Sequence, residues 1–301
     1  MHYYKAFGLN VFSEIPLPEL SEGDPATSPD LQIKTATIEL PDLSKTQVYR
    51  RGIRALFGKN AGELVLHWPG IATFKAIGGN ELVVNPFVED PNLVSLFTVS
   101  EAIGLILFQR GLFLLHASAV LVGEEAWCFM GTPGAGKSTT AAAFIKAGCR
   151  LLSDDLTAIQ TAENGTLSVL PAYPQLKIWD KTVAGLQYDR GNLEPVSEGV
   201  NKFSFQPKTN FPDKPVPLTK IIFLHRARNR AALQQVSVSE TPGEMIRNFP
   251  LPMQLLTGDV LKTHFLQSMK CAAQVEVIKK RRPEGFDLLE KWVQESVIHS
   301  V

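Results

Sequence analysis

One octapeptide constrains this chain more than any other stretch of its sequence. Residues 131–138 read Gly-Thr-Pro-Gly-Ala-Gly-Lys-Ser and match the pattern G-x-x-x-x-G-K-[ST] at every fixed position. The apolar stretch Ala126–Met130 comes before the octapeptide, and an alanine-rich stretch follows it. This order predicts a buried strand, a glycine-rich turn and a helix that runs from about Lys137 to Ala147.

The residue types of the octapeptide suit the binding of a phosphate chain. Its glycines let the backbone curl so that successive N–H groups point toward one phosphate, and the helix N-terminus adds a favourable dipole. Lys137 offers a compact positive charge to the β- and γ-phosphates, and the Ser138 hydroxyl is a hard oxygen ligand for Mg²⁺. The sequence therefore predicts a site for a nucleoside triphosphate with Mg²⁺. The residues expected to bind the nucleotide are Gly131, Thr132, Pro133, Gly134, Ala135, Gly136, Lys137, Ser138 and Thr139.

Two further features lie at suggestive distances from the octapeptide. Asp154 and Asp155 follow the stretch Cys149–Ser153, and Asp154 lies 17 residues after Lys137. His116 lies 15 residues before Gly131. Because ligands gather at the carboxyl edge of a parallel sheet, the two carboxylates are expected beside the phosphates. One can bind Mg²⁺ while the other accepts the proton of an attacking hydroxyl. A histidine in an apolar strand is more often a core residue, but beside a γ-phosphate it could stabilise transition-state charge.

The chain divides by pattern into two parts. Residues 1–92 read as short strands and turns, which predicts a β-rich N-terminal lobe. Asn92 is expected to cap a helix that runs to about Gln109, and strands then alternate with helices, so that residues 93–301 are predicted to form an α/β domain. Residues 162–215 contain six prolines and are expected to be a long loop that carries substrate contacts.

The composition gives no reason to expect a nucleic-acid or membrane partner. Lys plus Arg and Asp plus Glu are both 30, so the zero net charge gives no reason to expect a nucleic-acid partner. The most apolar region, Ala102–Val122, is interrupted by Gln109, Arg110 and His116 and is a poor membrane span. Three cysteines without a C-x-x-C pair, and a start without a secretory apolar segment, predict a cytoplasmic protein with no membrane partner.

These features together resemble the bacterial HPr kinase/phosphorylase family. That family has a histidine about 15 residues ahead of a P-loop and an Asp-Asp pair soon after the P-loop helix. The matching residues here are His116-Ala-Ser-Ala-Val, Gly131–Ser138 and Leu151-Leu-Ser-Asp-Asp155, which span about 45 residues.

The resemblance implies a P-loop kinase domain of the HPr kinase and phosphoenolpyruvate carboxykinase type. Its expected activity is the ATP- and Mg²⁺-dependent transfer of the γ-phosphate to a serine hydroxyl of a protein or peptide. By the same resemblance His116, Lys137 and Asp154 are catalytic, with Asp154 the better proton acceptor. Ser138 and Asp155 would then hold Mg²⁺, although the two aspartates could exchange roles. Related enzymes are oligomers, so a homo-oligomer is expected.

The sequence also departs from the family pattern. Thr139 stands where the family usually has glutamate, and Pro174–Asp180 occupies the place of the glycine-rich signature linked to dephosphorylation. Phosphorylase activity and HPr as acceptor are therefore not expected. The chain is more similar to divergent HPr-kinase-related proteins, some of which phosphorylate serine on ribosomally made peptides such as lasso-peptide precursors.

Two other functions stay open at this point. The same site could serve a small-molecule kinase, or a nucleotide-dependent switch or ATPase that has no phosphoryl acceptor. A GTPase is disfavoured, because the only Asn-Lys pair, Asn201-Lys202, is followed by Phe203 rather than by the guanine motif. Lys177 is a candidate contact to phosphate or acceptor, and the basic run Lys279–Arg282 is either a solvated turn or a dock for an acidic peptide.

Overall fold

The computed structural model describes residues 1–196, 201–207, 210–225 and 234–298, which form a mixed α/β fold with two large sheets. The strands are β1 His2–Ala6, β2 Leu9–Ser13, β3 Ser21–Glu22, β4 Leu31–Thr35, β5 Ser44–Arg50, β6 Ile53–Asn60, β7 Glu63–Trp68, β8 Ala72–Ile77, β9 Glu81–Pro86, β10 Phe113–Leu115, β11 Ala117–Val122, β12 Glu125–Met130, β13 Arg150–Ser153, β14 Thr157–Thr161, β15 Leu167–Leu170, β16 Leu176–Trp179, β17 Leu193–Pro195, β18 Lys202–Phe205, β19 Val216–His225, β20 Gln234–Gln235 and β21 Glu276–Arg281. The α-helices are α1 Pro91–Phe97, α2 Ile103–Gln109, α3 Lys137–Lys146, α4 Asp180–Gly185, α5 Thr241–Arg247, α6 Gly258–Gln274 and α7 Phe286–Ile298.

The first sheet uses the nine strands β1–β9 in the order β3-β1-β2-β4-β9-β8-β7-β6-β5. Its neighbours are antiparallel except at β2–β4 and β4–β9, which are parallel. Buried and more exposed residues alternate along β2, where Leu9, Val11 and Ser13 are buried, as expected for a strand with one face on a core. Strand β5 is an edge strand of this sheet, and it ends at Arg50 beside the candidate site described below.

A kinked helical segment connects the two sheets. Asp90, rather than the expected Asn92, caps α1, because its carboxylate accepts hydrogen bonds from the backbone N–H groups of Asn92 and Leu93. A π-helical turn at Thr98–Ala102 follows and holds Ser100 at non-helical angles before α2 begins. The stretch Pro91–Gln109 is long and apolar enough to cross a membrane, but 72% of its most apolar window is buried inside the protein. It lies in one hydrophobic core with the first sheet.

The second sheet has the order β10-β14-β15-β19-β12-β11-β13, with β21 and β20 added beside β19. Strand β19 runs parallel to both β12 and β21. The expectation of a parallel sheet around the octapeptide is wrong in one respect, because β11 lies between β12 and β13 and is antiparallel to both. Strands β12 and β13 therefore still run in the same direction, and their carboxyl ends meet at the same edge of the sheet.

The second sheet is covered on both faces. Along β12, Trp127 and Phe129 belong to a core that includes Phe144 of α3 and Leu289 of α7. The alternate residues of that strand belong to the opposite core, with Met245 of α5 and Cys271 of α6. Burial on both faces explains why β12 reads as a continuous apolar run.

The proline-rich stretch 162–215 is not a long loop. It contributes β15 to the second sheet, and it forms α4 and a separate three-stranded sheet of order β16-β18-β17. Pro195 is tolerated because β17 lies at an edge of that small sheet. Residues 197–200 and 208–209 of the predicted loop lie outside the described residues.

A buried histidine of α6 predicts a pH-dependent stability. Neither ring nitrogen of His264 has a hydrogen-bond partner among the described residues, and the ring packs edge-on against Phe113 and Phe249. Burial lowers the pKa of His264 to about 4. Its contribution to stability is therefore complete above the unfolded pKa near 6.5 and is lost as the pH falls toward 4.

We predict that His264→Leu reduces the fall in the free energy of unfolding between pH 7 and pH 5. The reduction should be about 1 kcal/mol, because the variant has no imidazole to protonate on unfolding and partial solvent screening limits the effect. Urea unfolding of both proteins at the two pH values measures it. An equal fall in parent and variant would contradict the assignment.

Candidate functional site

The octapeptide forms a tight turn between β12 and α3, which we call the glycine loop (Gly131–Ser138). Gly136 precedes α3 with φ of 100°, and Gly131 has φ of 142°. A Cβ added at Gly131 would lie 2.6 Å from the carbonyl oxygen of Leu224, so this position requires glycine for both its angle and its space. Within the loop, the N–H of Ala135 donates to the carbonyl of Thr132 at 3.0 Å.

Lys137 is the first residue of α3, and its side chain is buried beneath the loop. Its ammonium group donates a hydrogen bond to the carbonyl oxygen of Gly131 at 3.0 Å, which spans the glycine loop from end to end. Burial lowers the pKa of Lys137, and the charges of Asp155 and Asp154 oppose that shift. A cation held at this place by two nearby carboxylates suits a phosphate chain laid along the loop.

Asp154 is the central hydrogen-bond acceptor of the site. One carboxylate oxygen accepts from the Ser118 hydroxyl of β11 at 2.6 Å and from the Ser138 hydroxyl of α3 at 3.0 Å. The other accepts from the backbone N–H of Lys177 in β16 at 3.1 Å. Burial, followed by repulsion from Asp155, raises the pKa of Asp154 to about 6 despite these hydrogen bonds.

Asp155 differs from its neighbour in both backbone and surroundings. It has φ of 65°, a left-handed conformation that turns the chain at the end of β13. One carboxylate oxygen lies 3.5 Å from the Lys177 ammonium and 3.9 Å from the Arg50 guanidinium. Burial alone would raise its pKa, but the charges of Lys177, Lys202 and Arg50 together bring the pKa of Asp155 well below its ordinary value. The environment therefore drives the two adjacent pKa values apart.

His116 lies at the break between β10 and β11. Its backbone N–H donates to the carbonyl oxygen of Asn248 at 3.3 Å. Burial, with a smaller contribution from the Lys137 charge, lowers the pKa of His116 to about 4. The imidazole is therefore neutral near pH 7 and keeps one N–H donor and one acceptor nitrogen.

One cavity opens at the start of the glycine loop, and a second lies beside the first turn of α3. The first, which we call the His116 cavity, has a volume of about 410 Å³ and is lined by the start of the loop (Gly131, Thr132 and Pro133) together with His116 and Asp155. The second, the Trp179 cavity, measures about 580 Å³ and is lined by Thr139, immediately after the loop. The Thr139 hydroxyl shares a hydrogen bond of 3.0 Å with that of Thr182. One cavity therefore contacts the start of the glycine loop, and the other contacts the helix that follows the loop.

The first sheet supplies a site residue that sequence patterns do not reveal. Arg50, the last residue of β5, forms a two-fold ion pair with Glu101, with distances of 3.1 Å from Nε and 3.0 Å from a terminal nitrogen. The Ser100 hydroxyl donates to the same carboxylate at 2.8 Å. Both Arg50 and Glu101 line the His116 cavity. No motif surrounds Arg50, and it lies more than a hundred residues from Asp155, so no local signal could have found it.

The oxygens around Ser138 fit a magnesium ion that is completed by phosphate. Among the described residues, no group of three or more His, Cys, Asp and Glu side chains could hold a metal by itself. Mg²⁺ commonly takes one or two protein oxygens and completes its shell with substrate phosphates and water. Ser138 and Asp154, 3.0 Å apart beside the glycine loop, offer that kind of oxygen pair.

Comparison with known proteins gives a likeness in structure but none in sequence. No family model matches the chain, and no curated protein does. Among solved structures, the HPr(Ser) kinase/phosphatase from Coxiella burnetii is similar over 62% of this chain and 97% of its own, with 13% sequence identity and a TM-score of 0.34. A likeness of this size does not extend to activity or substrate.

We predict that Arg50→Gln lowers the free energy of unfolding by about 3 kcal/mol. The substitution leaves the partly buried Glu101 carboxylate without its two-fold partner and removes a cation near Asp155. Urea unfolding measures the change. Arg51→Gln is the matched control, because Arg51 is exposed in the turn after β5 and its substitution should change the free energy of unfolding little. Equal midpoints for Arg50→Gln and the parent would show that the pair does not stabilise the site.

Proposed function

We propose that this protein is a kinase that transfers the γ-phosphate of a Mg²⁺-bound nucleoside triphosphate, expected to be ATP, to a hydroxyl group. The observation that carries the proposal is a cavity of about 410 Å³ lined by His116, Asp155 and the start of the glycine loop, where the Gly131 carbonyl oxygen accepts a hydrogen bond from the Lys137 ammonium at 3.0 Å. A nucleotide-binding switch needs the loop, but it does not need a carboxylate and an imidazole facing an open space beside it.

The contacts favour an exchange of the roles expected for the two aspartates. Asp154 is hydrogen-bonded to Ser138 and does not line the His116 cavity, so we assign it with Ser138 to Mg²⁺. Asp155 lines that cavity, so we assign it to the acceptor hydroxyl. The metal, when bound, would neutralise charge on the phosphates. The low pKa of Asp155 is compatible with this role, because geometry comes before pKa and phosphoryl transfer asks for little proton abstraction before its transition state.

The reaction then follows from these positions. The acceptor oxygen forms a bond to the γ-phosphorus while the bond from phosphorus to the β–γ bridging oxygen breaks. The nucleoside diphosphate leaves with that electron pair, and the acceptor proton passes to a carboxylate oxygen of Asp155. Lys137 and the N–H of the neutral His116 can stabilise the charge on the transferring group.

We further propose that the acceptor is a serine of a protein or peptide. Two segments distant in sequence line part of the His116 cavity, Gln47–Arg50 at the edge of the first sheet and Arg247–Leu251 at the end of α5 and beyond. A wall made from two distant segments offers an extended acceptor more contact than a metabolite would need. The Lys177 ammonium, 3.5 Å from Asp155, lies where it could contact the phosphate or the acceptor. A cytoplasmic location and a homo-oligomeric state stay predictions.

Two variants test the role exchange. Asp155→Asn should lower phosphoryl transfer by about 100-fold or more, because it removes the proton acceptor. Mg-ATP binding should not weaken, because Ser138, Asp154 and the glycine loop are intact. Asp154→Asn should weaken the Mg²⁺-dependent part of ATP binding. Calorimetric titration with and without Mg²⁺ measures binding, and labelled ATP with a panel of serine peptides measures transfer.

Asp24→Asn, in an exposed loop of the first sheet, is the control and should behave as the parent in both assays. Transfer at the parent rate by Asp155→Asn, together with loss of transfer but normal Mg²⁺ dependence in Asp154→Asn, would contradict the exchange. Release of free phosphate from ATP with no label on any peptide or small hydroxyl compound would favour an ATPase instead.

A further inference from the structure

The basic run Lys279–Arg282 holds one cation that differs from the other three. Lys279 pairs with Glu244 at 2.8 Å, and the Lys280 ammonium lies 4.7 Å from the centre of the Trp292 ring. Arg281 has Glu284 at 3.9 Å. Among the described residues, the Arg282 side chain has no ion pair and no hydrogen bond, although burial lowers its pKa. The run is therefore neither a uniformly solvated turn nor a patch of four available charges.

Arg282 lies directly against the glycine loop. A Cβ added at Gly136 would lie 2.6 Å from Cδ of Arg282 and 2.8 Å from its Nε. The backbone N–H of Arg282 donates to the carbonyl oxygen of His225 at 3.2 Å, which fixes the residue at the end of β21. Burying half of a guanidinium without a carboxylate partner lowers the stability of the fold. The planar donors of the guanidinium match phosphate oxygens.

Arg282 also lines the Trp179 cavity, which has a second feature suited to a nucleotide. Trp179 is 56% exposed, whereas Trp68 and Trp127 are buried and Trp292 is partly buried. Its indole ring is 5.5 Å from the Lys202 ammonium and faces the same cavity as Arg282 and Thr139. An exposed indole beside a phosphate-binding loop offers a flat surface on which a base can stack.

The two cavities fix the direction of a bound nucleotide. In the proposed reaction the γ-phosphate lies at the His116 cavity, which contains the start of the glycine loop. The phosphate chain then runs along the loop, and its nucleoside end leaves near Thr139, where the Trp179 cavity opens. A volume of about 580 Å³ is within the range of cavities that hold cofactor-sized ligands.

We infer that the Trp179 cavity is the nucleoside subsite, in which Arg282 binds the α- or β-phosphate and the indole of Trp179 stacks on the base. This inference rests on the proposed nucleotide-dependent function and deepens it. It assigns one phosphate-binding residue and one base-binding residue outside the octapeptide. It also gives the basic run a role that differs from docking an acidic peptide.

Titrations with Mg-ATP and with magnesium tripolyphosphate, which has no nucleoside, separate the two roles. Arg282→Gln should weaken both ligands by about 10-fold or more, because a charge-assisted hydrogen bond to phosphate is lost. Trp179→Ala should weaken Mg-ATP by about 10-fold and leave tripolyphosphate unchanged, because only the base loses its stacking partner. Trp179→Phe should keep most of the ATP affinity and lose most of the change in tryptophan fluorescence on binding.

Arg281→Gln is the matched control, because the guanidinium of Arg281 already has Glu284 as its partner. This variant should bind both ligands within about two-fold of the parent. Urea midpoints of all variants check that the fold is intact. If the parent binds ATP but Arg282→Gln or Trp179→Ala binds it equally well, the inference is overturned while the proposed function stands. If the parent itself binds neither ligand, the proposed function fails, and the inference with it.

Discussion

The buried carboxylate of Asp154 is the contact on which the whole site depends. It joins three elements that are distant in sequence, because it accepts from Ser118 of β11, Ser138 of α3 and the backbone of Lys177 in β16. These bonds hold the carboxyl ends of β12 and β13 together although an antiparallel strand separates them. A buried carboxylate is tolerated only when its oxygens are satisfied in this way, so the position of each partner is strongly constrained.

The two adjacent aspartates, Asp154 and Asp155, have different electrostatic surroundings. Asp154 is surrounded by hydroxyl and backbone donors, and burial raises its pKa to about 6. Asp155, one residue later, faces Lys177 and Arg50, and its pKa is held well below the ordinary value. The left-handed backbone of Asp155 produces this difference, since it turns the second side chain toward the His116 cavity. Two neighbouring residues of one type thus acquire separate chemical surroundings, a common way for a site to divide metal and proton chemistry.

Local sequence was sufficient for the parts of the site that depend on local geometry. The glycine loop between a buried strand and a helix and the end of a strand at Asp154 both follow from short patterns of glycine, apolar and acidic residues. The roles of these residues stay predictions, because contacts alone do not show which ligand they bind.

The features that sequence missed depend on distant contacts or on context. Arg50 reaches the site only because the first sheet packs beside the second. Within the part of the chain that the structure describes, Lys279 and Arg281 have carboxylate partners and Arg282 has none, and composition cannot show this difference. The prolines of residues 162–215 predict a loop where strands β16–β18 form, because an edge strand accepts proline where its N–H is not needed. Asp90 and Asn92 are equally good caps by composition, and only the backbone angles decide between them.

The most direct measurement is a crystal structure with Mg²⁺ and a non-hydrolysable ATP analogue. We expect the γ-phosphate at the start of the glycine loop, within hydrogen-bonding distance of Lys137 and His116, with Asp155 facing the open side of that phosphate. Density for the terminal phosphate on another face of the protein, or at a distance from both His116 and Asp155, would contradict it.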